Sequence, residues 1–331
     1  MSKSRFQPYK ELSFQQIRSF LAVRRLESFA RAAEELGLAT PTVWEQLHAL
    51  ERYYGLPLFE RRGNRMVPTA QGVQLFEMIR PLLAGFDSVK AVLHEQRGDL
   101  PDRITVLSGP RILLEDMIQP MARFQRAHPS IQLRVLHTGG EDLDPLVERG
   151  EVDLALTLEP GPRVPAAPGV EHEHAYEMDY LLVTPPRHPL ARRRRLRLEE
   201  IAQYPLIVGR PEAYARHRVE EVFYRVGLTN NLKIAVETSS DAFSLGCVQA
   251  GMGVAIIAGS PRGLLCRGLW VRSLREWFGT ARFTFVWKRG ALLRPSVREL
   301  AEVIREHIVR KRRDEPPRRQ ERQGKDNGES R

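Results

Sequence analysis

The chain has 331 residues, 42% of them hydrophobic, with a formal net charge of +10. That length and apolar content exclude a single small domain and a globally disordered chain, and the positive excess points to an anionic partner: nucleic acid, a membrane surface or an acidic ligand. Two cysteines, Cys247 and Cys266, exclude a disulfide framework and a cysteine-only zinc site.

The first residues, MSKSRFQPYKELSFQQ, lack the apolar run of a secretory signal, and no stretch reaches the roughly 20 apolar residues of a membrane span. A soluble, cytoplasmic protein with no membrane partner is the expectation. Residues 1–12 read as an N-terminal extension. Ser13-Phe14-Gln15-Gln16 then matches a capping box, followed by Ile17, Phe20 and Leu21 at helical spacing. Ser28 opens a second helix whose face carries Phe29, Ala32, Ala33 and Leu36, and Gly37 ends it. Thr40 is read as the cap of a third helix, with Pro41 at its first position. Val43, Leu47 and Leu50 form its inner face, leaving Thr42, Trp44, Glu45 and His48 on the other.

Leu58 to Pro68 reads as two short strands around Gly63-Asn64, with Arg61, Arg62 and Arg65 near the tip. Three helices and a hairpin over residues 13–70 make a winged helix-turn-helix. Its third helix would enter a DNA major groove and its basic wing would meet phosphates. Thr69 caps a long helix (71–97), with Pro81 inside it as an expected kink and apolar side chains spaced near 3.5, the pattern of a seam for a partner helix.

After a hinge at Gln96 to Pro101 the pattern becomes strands alternating with helices, which predicts a parallel α/β sheet. The strands fall at Arg103–Leu107, Ile131–Leu136, Val152–Leu158, Tyr180–Val183, Leu206–Val208, Leu232–Val236, Gly253–Ile257 and Arg282–Trp287, and a last helix at Val297–Val309. They group into two lobes, one over about 103–176 and 281–309, the other over about 177–280, with a cleft between. From Arg310 the chain is charged and poor in apolar side chains, and reads as a basic, disordered tail. Arg192 to Arg195 read as an exposed loop.

The head resembles the LysR-type transcriptional regulators. The resemblance rests on Ser28-Phe29-Ala30-Arg31-Ala32-Ala33-Glu34-Glu35-Leu36, Pro41, Gln46-Leu47, Leu50-Glu51, Gly55-Leu56-Pro57-Leu58-Phe59-Glu60-Arg61 and Pro68-Thr69-Ala70-Gln71-Gly72. It extends more loosely through Gln203-Tyr204-Pro205-Leu206 and Gln249 to Ala255. It implies an N-terminal winged helix-turn-helix, a long linker helix and a two-lobed α/β effector domain (98–309) like a type 2 periplasmic binding protein. It also implies a homodimer through the linker helix, assembly to a homotetramer, double-stranded operator DNA and a small-molecule effector as partners, and contact with RNA polymerase. The DNA-contacting set carried over is Ser28, Arg31, Thr40, Pro41, Thr42, Trp44, Glu45, His48, Arg61, Arg62 and Arg65. The sequence departs from the family where Ser-Gln usually precedes the proline and Ser-Arg the glutamine. Here Ala39-Thr40 and Trp44-Glu45 stand instead. Glu45 can accept from a cytosine amino group but repels phosphate, so an unusual base preference is expected.

For the effector, residues just beyond strand ends are the candidates: Ser108, Gly109, Arg111, Thr138, Gly139, Gly209, Arg210, Thr238 and Ser239. Taken singly, each hydroxyl caps a helix as readily as it contacts a ligand. Arg111 and Arg210 either bind an anion or form surface ion pairs. Two other readings stand beside this one: a redox-sensing regulator using Cys247 and Cys266, and a non-regulatory solute-binding protein. No nucleophile elbow, metal motif, phosphate loop or dinucleotide fingerprint is present in the sequence, so neither an enzyme nor a cofactor is expected.

Overall fold

The computed structural model describes residues 12–62, 65–138, 143–161, 167–228 and 232–313. The head opens with α1 (Phe14–Leu26), α2 (Phe29–Leu36) and α3 (Thr40–Tyr54). The capping box forms: Ser13 N donates to Gln16 Oε1 at 2.8 Å and Gln16 N to Ser13 Oγ at 3.3 Å. Gly37 and Gly55 end α2 and α3 with φ of 65° and 68°, the left-handed conformation glycine adopts without strain. One expectation changes here. Ala39, not Thr40, is the cap of α3. Its backbone is extended, no side chain caps the helix, and Thr40 already lies within it ahead of Pro41.

Phe20, Val23, Ala32, Ala33, Val43, Leu47 and Leu50 form the core of the head, closed by Leu58. The small Ala32 and Ala33 permit close helix approach. The wing is β1 (Phe59–Arg62) paired antiparallel with β2 (Arg65–Pro68). Glu51 ties it to α3, accepting from Leu58 N at 2.8 Å and Phe59 N at 3.3 Å.

Thr69 caps α4 (Ala70–Gln96) through Gly72 N, and Pro81 lies within this helix. Gly72 lets the helix pass the wing, because a Cβ there would stand 2.1 Å from the Leu58 carbonyl oxygen. The far half of α4 docks on the α/β domain of its own chain. Glu95 is buried, accepting from Ser296 N and Oγ at 2.9 Å. Arg80 is ion-paired with Glu148.

The α/β domain comprises β3 (Arg103–Ser108), α5 (Pro110–Ile112), a π-helical turn (Leu113–Met117), α6 (Ile118–Ala127), β4 (Gln132–His137), α7 (Leu143–Glu148) and β5 (Leu154–Leu158). It continues through β6 (Val170–Thr184), α8 (Leu198–Ala202), β7 (Leu206–Gly209), α9 (Tyr214–Arg225), β8 (Ile234–Thr238) and α10 (Asp241–Gln249). It closes with β9 (Val254–Gly259), β10 (Trp270–Ser273), α11 (Arg275–Phe278), β11 (Thr280–Lys288) and α12 (Pro295–Arg313).

The described strands do not form the purely parallel sheet read from the alternation. They form one mixed sheet in the order β4-β3-β5-β11-β6-β9-β7-β8, with β10 also on β6. Parallel blocks at either end belong to the two lobes, and antiparallel β11 and β6 join them. The strand expected at Tyr180–Val183 begins ten residues earlier, at Val170. Its first half, VEHEHAYEMD, carries charges and histidines that hide the apolar alternation, and pairing with β11 fixes it as strand. The last helix runs through Arg310–Arg313, into what was read as tail. The remainder of that tail and the N-terminal extension to residue 11 lie outside the described residues.

Candidate functional site

The outer face of α3 is presented as its apolar spacing requires. Val43, Leu47 and Leu50 are buried; Pro41, Glu45 and His48 are exposed, and Thr40 and Thr42 half-buried. Trp44 is half-buried and stacks on Phe29 of α2, centroids 4.3 Å apart and planes at 9°. It therefore braces the two motif helices against each other. His48 Nδ1 lies 3.0 Å from Glu51 Oε2. Ser28 caps α2, accepting from Arg31 N at 3.3 Å, and the Arg31 guanidinium donates to the Leu26 carbonyl. In the wing Arg61 and Arg62 are exposed, Arg62 Nε donating to Glu60 at 2.8 Å, and Arg65 pairs with Arg62 in the hairpin register.

The strand ends of the two lobes converge. Gly109, Arg111, Thr138, Gly209, Arg210, Thr238 and Ser239 line one cavity of about 120 Å³. Ser108 is the exception among the described candidates: it is buried, with Oγ donating to the Leu156 carbonyl at 2.5 Å. Gly139 lies outside the described residues. Thr238 Oγ1 is within 2.7 Å of Ser244 Oγ and donates to the Ser240 carbonyl at 3.1 Å, so it also shapes the start of α10.

Arg111 is no surface residue. Its side chain is 3% exposed and Nη1 lies 3.4 Å from Glu115 and 3.3 Å from Asp116. The π-helical turn turns both of these consecutive carboxylates inward, an irregularity typical of functional segments. Tyr176 donates to Asp116 at 3.0 Å, and the guanidinium lies 5.4 Å from the Phe283 centroid. Burial alone would lower the Arg111 pKa. Asp116, with Tyr176, Asp241 and Glu115, outweighs it and leaves the guanidinium charged. Glu115 also crosses to the other lobe, accepting from Leu265 N at 2.9 Å. Gly263 makes room, since a Cβ there would meet Glu115 Oε1 at 2.4 Å.

The carboxylates Glu115, Asp116 and Asp241 were absent from the sequence-based candidates. A hint lay in Glu115 and Asp116 following Arg111 by one helical turn, but only burial reveals their role. A larger cavity of about 910 Å³ shares Leu158 and Tyr214 with the first and is walled by Tyr180, Arg218 and Tyr224.

Cys247 and Cys266 pack into one apolar cluster of the second lobe. Burial foremost, then Glu115, pushes the Cys266 thiol up to about 11, which keeps it protonated at neutral pH. Among the described residues no group of three or more His, Cys, Asp or Glu side chains is placed to hold a metal ion, and no helix is long and apolar enough to cross a membrane.

A helix-turn-helix head with a wing, joined by one long helix to a two-lobed α/β domain with a cavity between its lobes, defines the architecture of a ligand-responsive transcription factor. Residues 14–73 match the family described as bacterial regulatory helix-turn-helix protein, lysR family, and residues 99–309 match the LysR substrate binding domain. The chain belongs to the LysR family of transcriptional regulators. Among relatives, it is 29% identical over 305 residues to the RuBisCO operon transcriptional regulator of Allochromatium vinosum, covering 90% of this chain and 97% of that one. It is 30% identical over 234 residues to the regulator CbbR of Xanthobacter flavus, covering 70% and 68%. A probable hydrogen peroxide-inducible genes activator of Mycobacterium avium is 27% identical over 301 residues, covering 88% and 93%. In fold the chain is similar to full-length BenM (TM-score 0.53, 20% identity, 92% of this chain and 100% of that one). It is also similar to full-length CbnR complexed with its target DNA (TM-score 0.51, 17% identity, 89% and 99%).

Proposed function

We propose that this chain is a sequence-specific DNA-binding regulator that acts as a homodimer, or a homotetramer built from dimers, and answers to a small anionic effector held between its lobes. The observation that supports it most is the meeting of strand ends from both lobes on one cavity whose wall carries the buried, charged Arg111. Ligand bound there touches both lobes, so it biases their arrangement and, through α4, the spacing of two heads on DNA. On the head, Pro41, Thr42 and Glu45 read base edges while Arg61 and Arg62 meet phosphate; Trp44 acts chiefly by holding α3 on α2. A dimer sets its recognition helices about 34 Å apart, one turn of duplex.

The test is a mobility shift on the DNA upstream of the protein's own gene, followed by selection from random duplexes. Wild type is expected to enrich one partly palindromic sequence. Glu45→Arg is expected to change the preferred bases with a discrimination of about 1–3 kcal/mol at one position per half-site. An unaltered preferred sequence removes Glu45 from base readout. Failure of the wild type to bind duplex at low salt removes the regulatory reading.

A further inference from the structure

Between the lobes, Arg111 is almost fully buried, yet its Nε–H has no hydrogen-bond partner among the described residues. Asp241 Oδ2 stands 3.6 Å from Nε, beyond ordinary hydrogen-bonding distance. Asp241 is the first residue of α10 in the second lobe, whereas Arg111 belongs to the first, and both line the interlobe cavity. Asp241 is one-third exposed to that space, while the carboxylates on the other side of the guanidinium, Glu115 and Asp116, are almost completely buried. Glu115 is held further by the Leu265 amide at 2.9 Å and Asp116 by Tyr176 at 3.0 Å. Three carboxylates thus surround one guanidinium, Asp241 the farthest of them at 3.6 Å.

We propose that Asp241 is a built-in competitor of the effector: its carboxylate stands in the place of a ligand's oxyanion, and the ligand displaces it to take the Nε–H of Arg111. The ligand class is a compound bearing one compact oxyanion, a carboxylate or a sulfate or sulfonate group. This rests on the interlobe cavity being the effector site. A buried N–H left without an acceptor is destabilising, because it has given up water without replacing it. A ligand oxygen at hydrogen-bonding distance recovers that cost, which Asp241 at its present distance does not. The displaced Asp241 can turn toward the open part of the cavity, and its movement frees α10 from its charge tie to the first lobe. The Asp241 carboxyl is itself lifted above the usual carboxylate range, by burial first and against the pull of Arg111.

Calorimetric titration of the full chain with sodium acetate and with sodium sulfate, at constant ionic strength, tests this. Asp241→Asn removes the competing charge while keeping the side chain's size. It is expected to bind at least one probe about tenfold more tightly than wild type, the worth of one charge-assisted hydrogen bond. Which probe gains distinguishes a carboxylate from a sulfate or sulfonate ligand. Adding Arg111→Lys to Asp241→Asn, which retains the charge without the Nε–H, is expected to abolish the gain, with folding checked by circular dichroism. If wild type binds a probe and Asp241→Asn binds it no more tightly, the competition is refuted. If neither form binds either probe, the oxyanion site beneath the proposal falls with it.

Discussion

Single side chains in this molecule take their roles from their neighbours. Arg111 in the sequence is one arginine among many; in the fold it is sealed beneath Phe283 and three carboxylates. Trp44, an unusual residue for a recognition helix, is spent in part on the Phe29 stack. Cys266 shows the same dependence in its chemistry. With its thiol lifted to about 11 by burial, it offers little thiolate at pH 7.5. In a Cys247→Ser background, iodoacetamide is therefore expected to modify native Cys266 on the order of 100-fold more slowly than the urea-unfolded chain. Mass spectrometry of timed samples checks this, and equal rates would show a thiol activated by something other than its packing. The rate should rise as the pH approaches 11, since the thiolate is the nucleophile and its fraction sets the rate.

At the scale of elements, the linker helix presents two different faces. One face is committed within the chain, through Glu95 to Ser296 and Arg80 to Glu148. The other leaves Met78, Leu82, Val89 and Leu93 exposed, Leu82 at 72% and Met78 at 61%, at spacings of three and four residues or their sums. An apolar stripe of this kind suits a second copy of the same helix. Leu82→Glu places a charge on that stripe. It is expected to turn a dimer into a monomer by sedimentation velocity at micromolar concentration while leaving the chain folded. A wild type that sediments as a monomer would remove the stripe as a dimer seam.

The elements also show how much could be read in advance. The capping box at Ser13, the buried Val43, Leu47 and Leu50, the wing and the Thr69 cap were legible because each depends on residues a few positions apart. The cap of α3 was misplaced by one residue because Ala39 offers no side chain to mark it; backbone geometry alone makes it the cap. The first half of β6 escaped notice because its identity depends on the distant β11.

On the scale of the whole molecule, the head, linker and α/β domain form a connected body. Phe76 of α4 lies between two guanidinium groups, 5.5 Å from Arg24 of α1 and 5.1 Å from Arg80, which in turn pairs with Glu148 of α7. Arg18 pairs with Asp87, and Phe14 stacks on Phe86 at 4.2 Å. Where α4 meets the α/β domain the backbones nearly touch. Gly290 has φ 80°, and a Cβ on it would stand 2.2 Å from the Pro81 carbonyl oxygen. Gly290→Ala should therefore lift the linker from the domain, at a cost of about 1–3 kcal/mol from overpacking together with left-handed strain. The expected result is a lower calorimetric melting temperature with the head's transition separating from that of the α/β domain. An unchanged single transition would show that this contact does not couple them.

The sequence by itself determined the winged head and the long amphipathic helix, because periodicity, caps and turn residues act over short stretches of chain, and its motifs carried the resemblance to the family. It also named seven of the residues that line the cavity, since strand ends can be located without knowing where they meet. Tertiary structure alone decided that the sheet is mixed, that α4 folds back on its own domain, and that Glu115, Asp116 and Asp241 close around Arg111. The reason is physical: strand partners, burial and charge pairing are set by residues far apart in sequence, and the energy of a charged group depends on which of them exclude water from it.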